Sequence, residues 1–357
     1  MKLSRREILR YARTGLLLPA IESRCVRPRP EARLLPSLAP LPQPFQVPLP
    51  EIPLLKPVRT DSNTDFYEVT ARPASVRILP AMDTGIWGYN GMFPGPTIEA
   101  RVGRRVSLQL RNALNVPIVN HLHGGRTAPE SDGYPTDLVL PAGDFPQSHM
   151  HDPMARAVER EREYVYTNDQ RAATLWYHDH RMDFTGPQVW RGLAGFYILR
   201  DTEEERLPLP HGDKEISLLI CDRSFDSDGS FRYPALDPSL RDAPGVDAQY
   251  MGGVLGDVIL VNGAPWPRLE VANVKYRFRI LNASNARRYD LALDPVAPLV
   301  QIGSDGGLLA APVSHRTLRI APAERFDVIV DFSKFKLGSK ITLLNKADDG
   351  RAGQVMQ

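Results

Sequence analysis

Two short stretches, His121-Leu122-His123-Gly124-Gly125 and Trp176-Tyr177-His178-Asp179-His180, each place a His-x-His pair among strand-forming residues. Side chains alternate between the faces of a β-strand, so the two histidines of each pair point to the same side. If the two strands lie next to each other, four imidazoles share one small volume. Imidazole binds copper, zinc, iron and nickel, and copper(II) has the highest affinity in the divalent series. The pattern predicts a metal site, and the alternative is four histidines that are hydrogen-bonded inside a sheet.

Alternating apolar and polar residues continue on both sides of these stretches, with turns rich in glycine and proline between them. The pattern predicts an all-β protein built from two consecutive β-sandwiches. One helix is predicted near Met154–Arg162, where alanine and charged residues cluster. The predicted strands of the second sandwich are Ile216–Cys221, Val258–Val261, Tyr276–Leu281, Leu299–Ile302, Phe326–Phe332 and Ile341–Leu344.

Changes in composition divide the chain into four parts. Residues 1–26 form a possible export signal, and residues 27–57 form a proline-rich linker or strap. Residues 58–200 form the first domain, and residues 207–357 form the second, which is expected to be cut short at its C-terminus because the final residues resemble the start of a strand. The charged stretch Asp201–Arg206 separates the two domains.

Bulk composition excludes several classes of protein. The net charge of +2, without a long stripe of lysine and arginine, argues against nucleic acid as a partner. No apolar run reaches the roughly 18–20 residues that a membrane-spanning helix needs. The two cysteines, Cys25 and Cys221, have no metal-binding spacing, and Cys221 is expected to be a buried strand residue rather than a disulfide partner.

The N-terminal stretch Ser4-Arg5-Arg6-Glu7-Ile8-Leu9 resembles a twin-arginine signal, which directs folded proteins across a membrane. It predicts export to the periplasm or the exterior. The alternatives are a basic disordered N-terminus, with a location in the cytoplasm or in a spore coat.

Several stretches together resemble the multicopper oxidases, in the branch of spore-coat laccases and bilirubin oxidases. The resemblance extends from about residue 48 to the C-terminus. The matching stretches are residues 87–99, 121–125, 131–135, 175–180, 276–285, 301–308 and 321–325. The resemblance implies consecutive cupredoxin-like Greek-key β-sandwiches.

The resemblance also implies a chemistry and a role for each candidate residue. In this family a type 1 copper receives electrons from a reductant and passes them to a trinuclear copper cluster, which reduces O₂ to water. By resemblance, His121 corresponds to a ligand of the type 2 copper, His123 and His178 to ligands of one type 3 copper, and His180 to a ligand of the other. Asp132 corresponds to the acid that helps to deliver protons, or is an ordinary turn residue. Asp179 must face the other way and is left out of the ligand set.

The family pattern is incomplete in this sequence. The family has three cupredoxin domains, and the third supplies four more histidines and the type 1 site. No His-Cys-His run occurs here, so a truncated oxidase that lacks this domain is expected. The alternatives are a non-catalytic exported copper-binding or structural cupredoxin protein, and a zinc hydrolase with three histidines and a water molecule. The reductant stays open among phenols, tetrapyrroles and metal ions.

A second copper site is a further hypothesis. The stretch His149-Met150-His151-Asp152-Pro153-Met154 combines thioethers with imidazoles, a donor set that suits copper(I). The alternative is an exposed insertion between two strands.

Overall fold

The structure, a computed structural model, describes residues 33–143, 156–234, 246–247, 253–347 and 353–357. Strands dominate, as expected from the alternating pattern. The strands of the first half are β1 Arg33–Leu35, β2 Arg59–Thr60, β3 Thr64–Val76, β4 Thr84–Tyr89, β5 Gly95–Arg101, β6 Arg105–Asn112, β7 Asn120–His123, β8 Asp137–Leu140, β9 Arg156–Glu159, β10 Glu161–Tyr166, β11 Ala173–Asp179 and β12 Ala194–Arg200.

The second half continues the same architecture. Its strands are β13 Glu215–Arg223, β14 Tyr233–Pro234, β15 Val246–Asp247, β16 Val254–Gly256, β17 Val258–Val261, β18 Ala264–Pro265, β19 Lys275–Asn282, β20 Tyr289–Asp294, β21 Leu299–Ser304, β22 Gly307–His315, β23 Leu318–Ile320, β24 Arg325–Asp331, β25 Thr342–Asn345 and β26 Gly353–Met356. The helices are α1 Thr185–Arg191, α2 Thr202–Glu205 and the 3₁₀ turns Pro129–Ser131, Gly212–Lys214 and Phe332–Lys334.

The first sandwich consists of two facing sheets. In one, strands β10, β6, β3 and β2 lie in that order, with β4 paired to β3. In the other, which we call the histidine sheet, the order is β5, β12, β11 and β7. Parallel pairs such as β3 with β6 join strands that are distant in sequence, as a Greek-key connection requires.

The second sandwich repeats this plan. One sheet has the order β18, β17, β13, β19, β24, β21 and β22, and the facing sheet has the order β23, β20, β25 and β26. The expected all-β fold of two consecutive cupredoxin-like sandwiches is therefore confirmed. The six strands predicted for this half coincide with β13, β17, β19, β21, β24 and β25 within about two residues at each end.

Three apolar clusters hold the structure together. One fills the first sandwich and another fills the second. The third joins the two sandwiches, because it combines Trp176 and Phe196 of the histidine sheet with Leu219 and Cys221 of β13. Cys221 is a free, fully buried strand residue, as predicted, and burial raises the pKa of its thiol to about 11.

The described part of the proline-rich segment is a strap that contacts both sandwiches. Its β1 pairs in parallel with β16 of the second half. Further along, the amide of Leu49 donates to the carbonyl of Arg268 at 2.8 Å. Its end then contacts the first half, where the amide of Leu55 donates to the carbonyl of Thr97 at 2.8 Å.

The helix predicted near Met154–Arg162 is wrong over its described residues. Arg156–Glu159 is strand β9, and β10 begins at Glu161. Tertiary pairing overrides the helical composition here, since β9 pairs in parallel with β8, and β10 pairs along its length with β6 and buries Tyr164 and Tyr166 in the first sandwich. The short helix α1, which the sequence pattern did not indicate, instead follows the second histidine stretch.

Some sequence-based predictions lie outside the described residues. They are the twin-arginine signal in residues 1–26, Cys25, and the copper(I) hypothesis at His149, Met150, His151 and Met154. Among the residues that are described, none of the helices combines the length and apolar character that crossing a bilayer would require.

A buried network of ion pairs joins helix α2 to the second sandwich. Glu204 of α2 accepts hydrogen bonds from Arg277 at 2.7 Å and from Arg279 at 2.5 Å. Arg279 also bonds Glu215 at 2.5 Å, and Arg277 bonds Asp327 at 2.8 Å. Within the charged stretch between the two halves, Glu204 is thus buried in this network, whereas its neighbours Glu203 and Glu205 are exposed.

We expect this network to make the free energy of unfolding depend on pH. Burial opposes ionisation of Glu215, but the attraction of Arg279, Arg200 and Arg277 outweighs it and lowers the pKa to about 2. A depressed carboxyl pKa stabilises the fold above the unfolded-state pKa, and this contribution is lost as pH falls from about 4.5 to 2. Glu215→Gln should therefore lower the free energy of unfolding at pH 7 by about 2–3 kcal/mol, and the loss relative to the native chain should shrink towards pH 3.

Urea unfolding at several pH values measures this effect. The matched control is Glu203→Gln, which alters an exposed carboxylate of helix α2. It should change the free energy of unfolding by less than about 0.5 kcal/mol. An equal effect of the two substitutions at pH 7 would contradict the stabilising role of Glu215.

Candidate metal centre

The histidines lie on neighbouring antiparallel strands. In the pairing of β11 with β7, His178 is opposite His121 and Trp176 is opposite His123. His121 and His123 are half-buried while Leu122 between them is buried in the core of the first sandwich. The alternation expected from the sequence therefore turns the histidines away from that core.

The four imidazoles form one cluster. The ring centroid of His121 lies 5.6 Å from that of His123, 5.4 Å from that of His178 and 5.0 Å from that of His180. One ring nitrogen from each of His121, His123 and His178 lies within 4.8 Å of the other two. His180, just beyond the end of β11, is held by its amide, which donates to the carbonyl of Val119 at 2.9 Å.

Hydrogen bonds orient individual rings. The Nδ1 of His121 bonds the backbone carbonyl of Asp132 at 2.5 Å, and the Nδ1 of His178 bonds the carbonyl of Asp179 at 2.7 Å. Donation from Nδ1 leaves the Nε2 of each ring as the nitrogen with a lone pair that can bind a metal ion, which is how metal-binding imidazoles are commonly arranged. The Nδ1 of His123 faces the Nε2 of His178 at 3.3 Å.

Burial keeps these rings neutral. It lowers the pKa of His121, against the opposing effect of the Asp132 carbonyl. It lowers the pKa of His123 to about 4, with a further contribution from Arg325, and it holds the pKa of His178 well below its usual value. Neutral imidazole is the form that binds a metal ion, so the site is prepared for a cation near pH 7.

Asp132 lies at the edge of the cluster. Its carboxylate Oδ1 accepts a hydrogen bond from Thr127 at 3.1 Å and lies 3.7 Å from the Nδ1 of His121. The following Gly133 has a φ of +75°, and a Cβ there would approach the carbonyl oxygen of Asn120 to 2.1 Å. The Ser-Asp-Gly turn therefore has to contain glycine in order to bring Asp132 against the histidine strand.

Two residues support the cluster although sequence reasoning gave them no role. The ring of Trp176 stacks on that of His178 at 4.1 Å and on that of His123 at 5.2 Å. Asp179 is buried, and its two oxygens accept the amides of Val119 at 2.9 Å and Arg181 at 3.1 Å. It does face away from the ligand set, as argued from strand alternation, yet it joins the segments that carry both histidine pairs.

The donor set fits copper. Three neutral imidazoles converge, and the buried Nδ1 of His180 has no hydrogen-bond partner among the described residues. A buried ring nitrogen without a protein partner, beside other converging nitrogens, is consistent with a bound cation. The fold and this cluster define a cupredoxin-like protein with a candidate histidine metal centre in its first sandwich.

Comparison with known proteins assigns the family. A family model described as "Multicopper oxidase" matches residues 70–204. A laccase of Bacillus stratosphericus is 42% identical over 332 residues, which cover 86% of this chain and 62% of that protein. A bilirubin oxidase of Albifimbria verrucaria is 34% identical, with coverage of 84% and 50%. The chain belongs to the multicopper oxidase family.

Solved structures agree with this assignment. The crystal structure of a laccase from Pediococcus acidilactici has a TM-score of 0.73 and 34% identity, and the match covers 89% of this chain and 62% of that one. This chain thus spans less than two thirds of the length of these laccases and of this bilirubin oxidase.

We expect Asp179 to stabilise the segments beneath the cluster. Asp179→Ala leaves two buried amides without an acceptor, at about 1–3 kcal/mol each, so the free energy of unfolding should fall by about 3 kcal/mol. Asp179→Asn keeps one acceptor and should cost about half as much. Asp169→Ala, which alters an exposed carboxylate, is the control. Urea unfolding of the metal-free chain measures all three, and equal stabilities of the Asp179 and Asp169 variants would contradict this role.

Proposed function

We propose that this chain supplies the first-domain half of a trinuclear copper site in a laccase-like oxidase. The enzyme would couple one-electron oxidation of a reductant to four-electron reduction of O₂ to water. The observation that carries the proposal is the convergence of His121, His123, His178 and His180 in a chain that belongs to the multicopper oxidases. Because the chain spans less than two thirds of the relatives compared above, the activity of the whole enzyme is part of the proposal.

The proposed ligands follow the family pattern. His121 would hold the type 2 copper, His123 and His178 one type 3 copper, and His180 the other. Copper bound there would supply one-electron redox steps close to O₂. The chain's own contribution is to hold the four imidazoles in place, with Trp176 stacked on two of them, and to keep His121, His123 and His178 neutral by burial.

The remaining ligands and the reductant site would come from a third cupredoxin domain, as the resemblance implies. The described histidine cluster offers one group of imidazoles, whereas the family uses two groups around the same cluster. The reductant, whether a phenol, a tetrapyrrole or a metal ion, would be selected near the type 1 copper of that domain. A non-catalytic copper-binding or structural role is the alternative for a chain that works without it.

Asp132 is proposed to relay protons. Reduction of O₂ to two waters consumes four protons, and a carboxylate beside the metal centre can deliver them. The Asp132 side chain is only partly buried, so it reaches solvent on one side and lies close to His121 on the other. Its backbone carbonyl independently orients His121, so the side chain can be changed without removing that bond.

Export by the twin-arginine route is proposed from Ser4-Arg5-Arg6. This route transports folded proteins, which suits a protein that could receive its copper before export. A location in the cytoplasm or in a spore coat is the alternative.

Copper binding tests the histidine assignment. His121→Ala combined with His123→Ala removes two of the four imidazoles of the cluster, so copper content after dialysis should fall by more than half. His211→Ala is the matched control, because His211 is exposed and its Nδ1 bonds only the nearby carbonyl of Leu209 at 3.2 Å. Elemental analysis measures copper per chain, and unchanged copper in the double variant would contradict the assignment.

A test of the relay role of Asp132 requires an enzyme that contains both groups of cluster histidines and the type 1 copper site. We would join this chain to the part of the Bacillus subtilis laccase that lies beyond its matched region, since that protein is 41% identical here. Asp132→Asn should slow O₂ consumption at least tenfold while copper content is unchanged, because it removes an acid–base group but keeps the bond from Thr127.

Glu130→Gln is the control, as it alters an exposed carboxylate of the same turn. Equal rates for the two variants would contradict the relay. A copper-loaded chimera that consumes no O₂ would instead favour the non-catalytic alternative.

A further inference from the structure

We propose that Arg325, which belongs to the second sandwich, is a positioning residue for the histidine cluster of the first. This inference rests on the proposed function of that cluster as a copper site. Arg325 begins β24 and is only 2% exposed. Its guanidinium contacts both histidine-bearing segments.

The first contact is with strand β11. The Nε of Arg325 donates to the carbonyl of Thr174 at 2.9 Å. Thr174 lies beyond the last pair of β11 with β7, which joins Trp176 to His123. The guanidinium therefore contacts β11 where β7 has already ended and β12 is its remaining partner strand. This point lies two residues before Trp176, which stacks on both His123 and His178.

The second contact is with the turn that ends β7. Gly124 directly follows His123 and has a φ of +85°. A Cβ at this position would lie 2.5 Å from the Nη2 of Arg325 and 3.0 Å from Leu175. The guanidinium thus packs against the bare backbone next to His123, and glycine is what allows that approach.

The guanidinium is itself anchored in the second sandwich. Its Nη1 donates to the carbonyl of Ala323 at 2.9 Å and pairs with the carboxylate of Asp305 at 2.9 Å. Its Nη2 donates to the carbonyl of Asp305 at 3.2 Å. The planar guanidinium therefore places three nitrogens on fixed partners, which the single ammonium of lysine could not do.

The consequence is that the second sandwich determines how firmly the imidazoles are held. Residues outside the ligand set that orient metal ligands commonly change affinity by about 10–100-fold when replaced. Arg325→Lys keeps the positive charge but loses the planar guanidinium with its three bonded nitrogens. It should therefore weaken copper(II) binding to the purified chain about tenfold or more. It should also broaden or shift the copper(II) electron paramagnetic resonance spectrum, because the ligands take up several arrangements.

The test compares Arg325→Lys with Val330→Ala. Val330 lies on the same strand, is buried in the core of the second sandwich, and belongs to a different apolar cluster from the histidine sheet. Val330→Ala removes buried methyl groups, so it should lower the unfolding temperature without changing copper affinity. Competition with a copper chelator measures affinity, and thermal unfolding measures stability.

A second variant keeps the inference testable if Arg325→Lys does not fold. Asp305→Asn alters a half-exposed residue and loosens the anchor of the guanidinium, so it should weaken copper binding at least threefold with a normal unfolding temperature. Weakened binding in an Arg325 or Asp305 variant beside unchanged binding in Val330→Ala supports the proposal. Native affinity and spectrum in these variants, or an equal loss in Val330→Ala, overturns it.

The two proposals fail in different ways. If the variant in which both His121 and His123 are replaced keeps as much copper as the native chain, the proposed site is wrong. If copper binds at these histidines and Asp305→Asn and Arg325→Lys leave its affinity unchanged, only the positioning role of Arg325 is wrong.

Discussion

The register between β7 and β11 is the constraint on which the candidate site depends. His121 lies opposite His178, and Leu122 between the histidines of β7 is buried in the first sandwich. A shift of one residue would turn the imidazoles into the core and expose the leucine. Leu175 and Tyr177 of β11 belong to the same core, so packing on one face fixes the placement of the histidines on the other.

The site also depends on how the structure distributes charge. His121, His123 and His178 are neutral because burial lowers their pKa values, whereas carboxylates beside the buried Arg277 raise its pKa and keep it charged. Arg277 is buried and bonds both Glu204 and Asp327. A buried cation without such partners would be too costly. The ion pairs between the two halves therefore allow charged side chains to contact Thr174 of β11 through Arg279, while His178 further along the same strand stays uncharged.

The sequence was informative wherever one local pattern determines the outcome. Strand alternation predicted that the histidine pairs share a face, and Val258–Val261 was recovered with its observed bounds because it is a continuous apolar run. The roles of Arg325 and Asp179 could not be predicted, since each depends on partners that are distant in sequence or hidden by the fold. The Met154–Arg162 helix failed for the same reason: over its described residues, pairing of β9 with β8 and of β10 with β6 outweighs local propensity.

The two sandwiches show how one fold carries different chemistry. Asn112 at the end of β6 and Asn282 at the end of β19 make matching bonds: each side-chain amide donates to two carbonyls, and each side-chain oxygen accepts the amide two residues on. Asn90 and Asn262 both adopt positive φ before a glycine and accept an amide from a neighbouring strand. These asparagines satisfy backbone groups that any sandwich of this shape would bury.

The histidine pairs occur only in the first half of the sequence, so they are an addition to a repeated scaffold rather than a requirement of it. The second copy of the scaffold is then free to act as a support, which is the relation that the Arg325 contacts to β11 and Gly124 display.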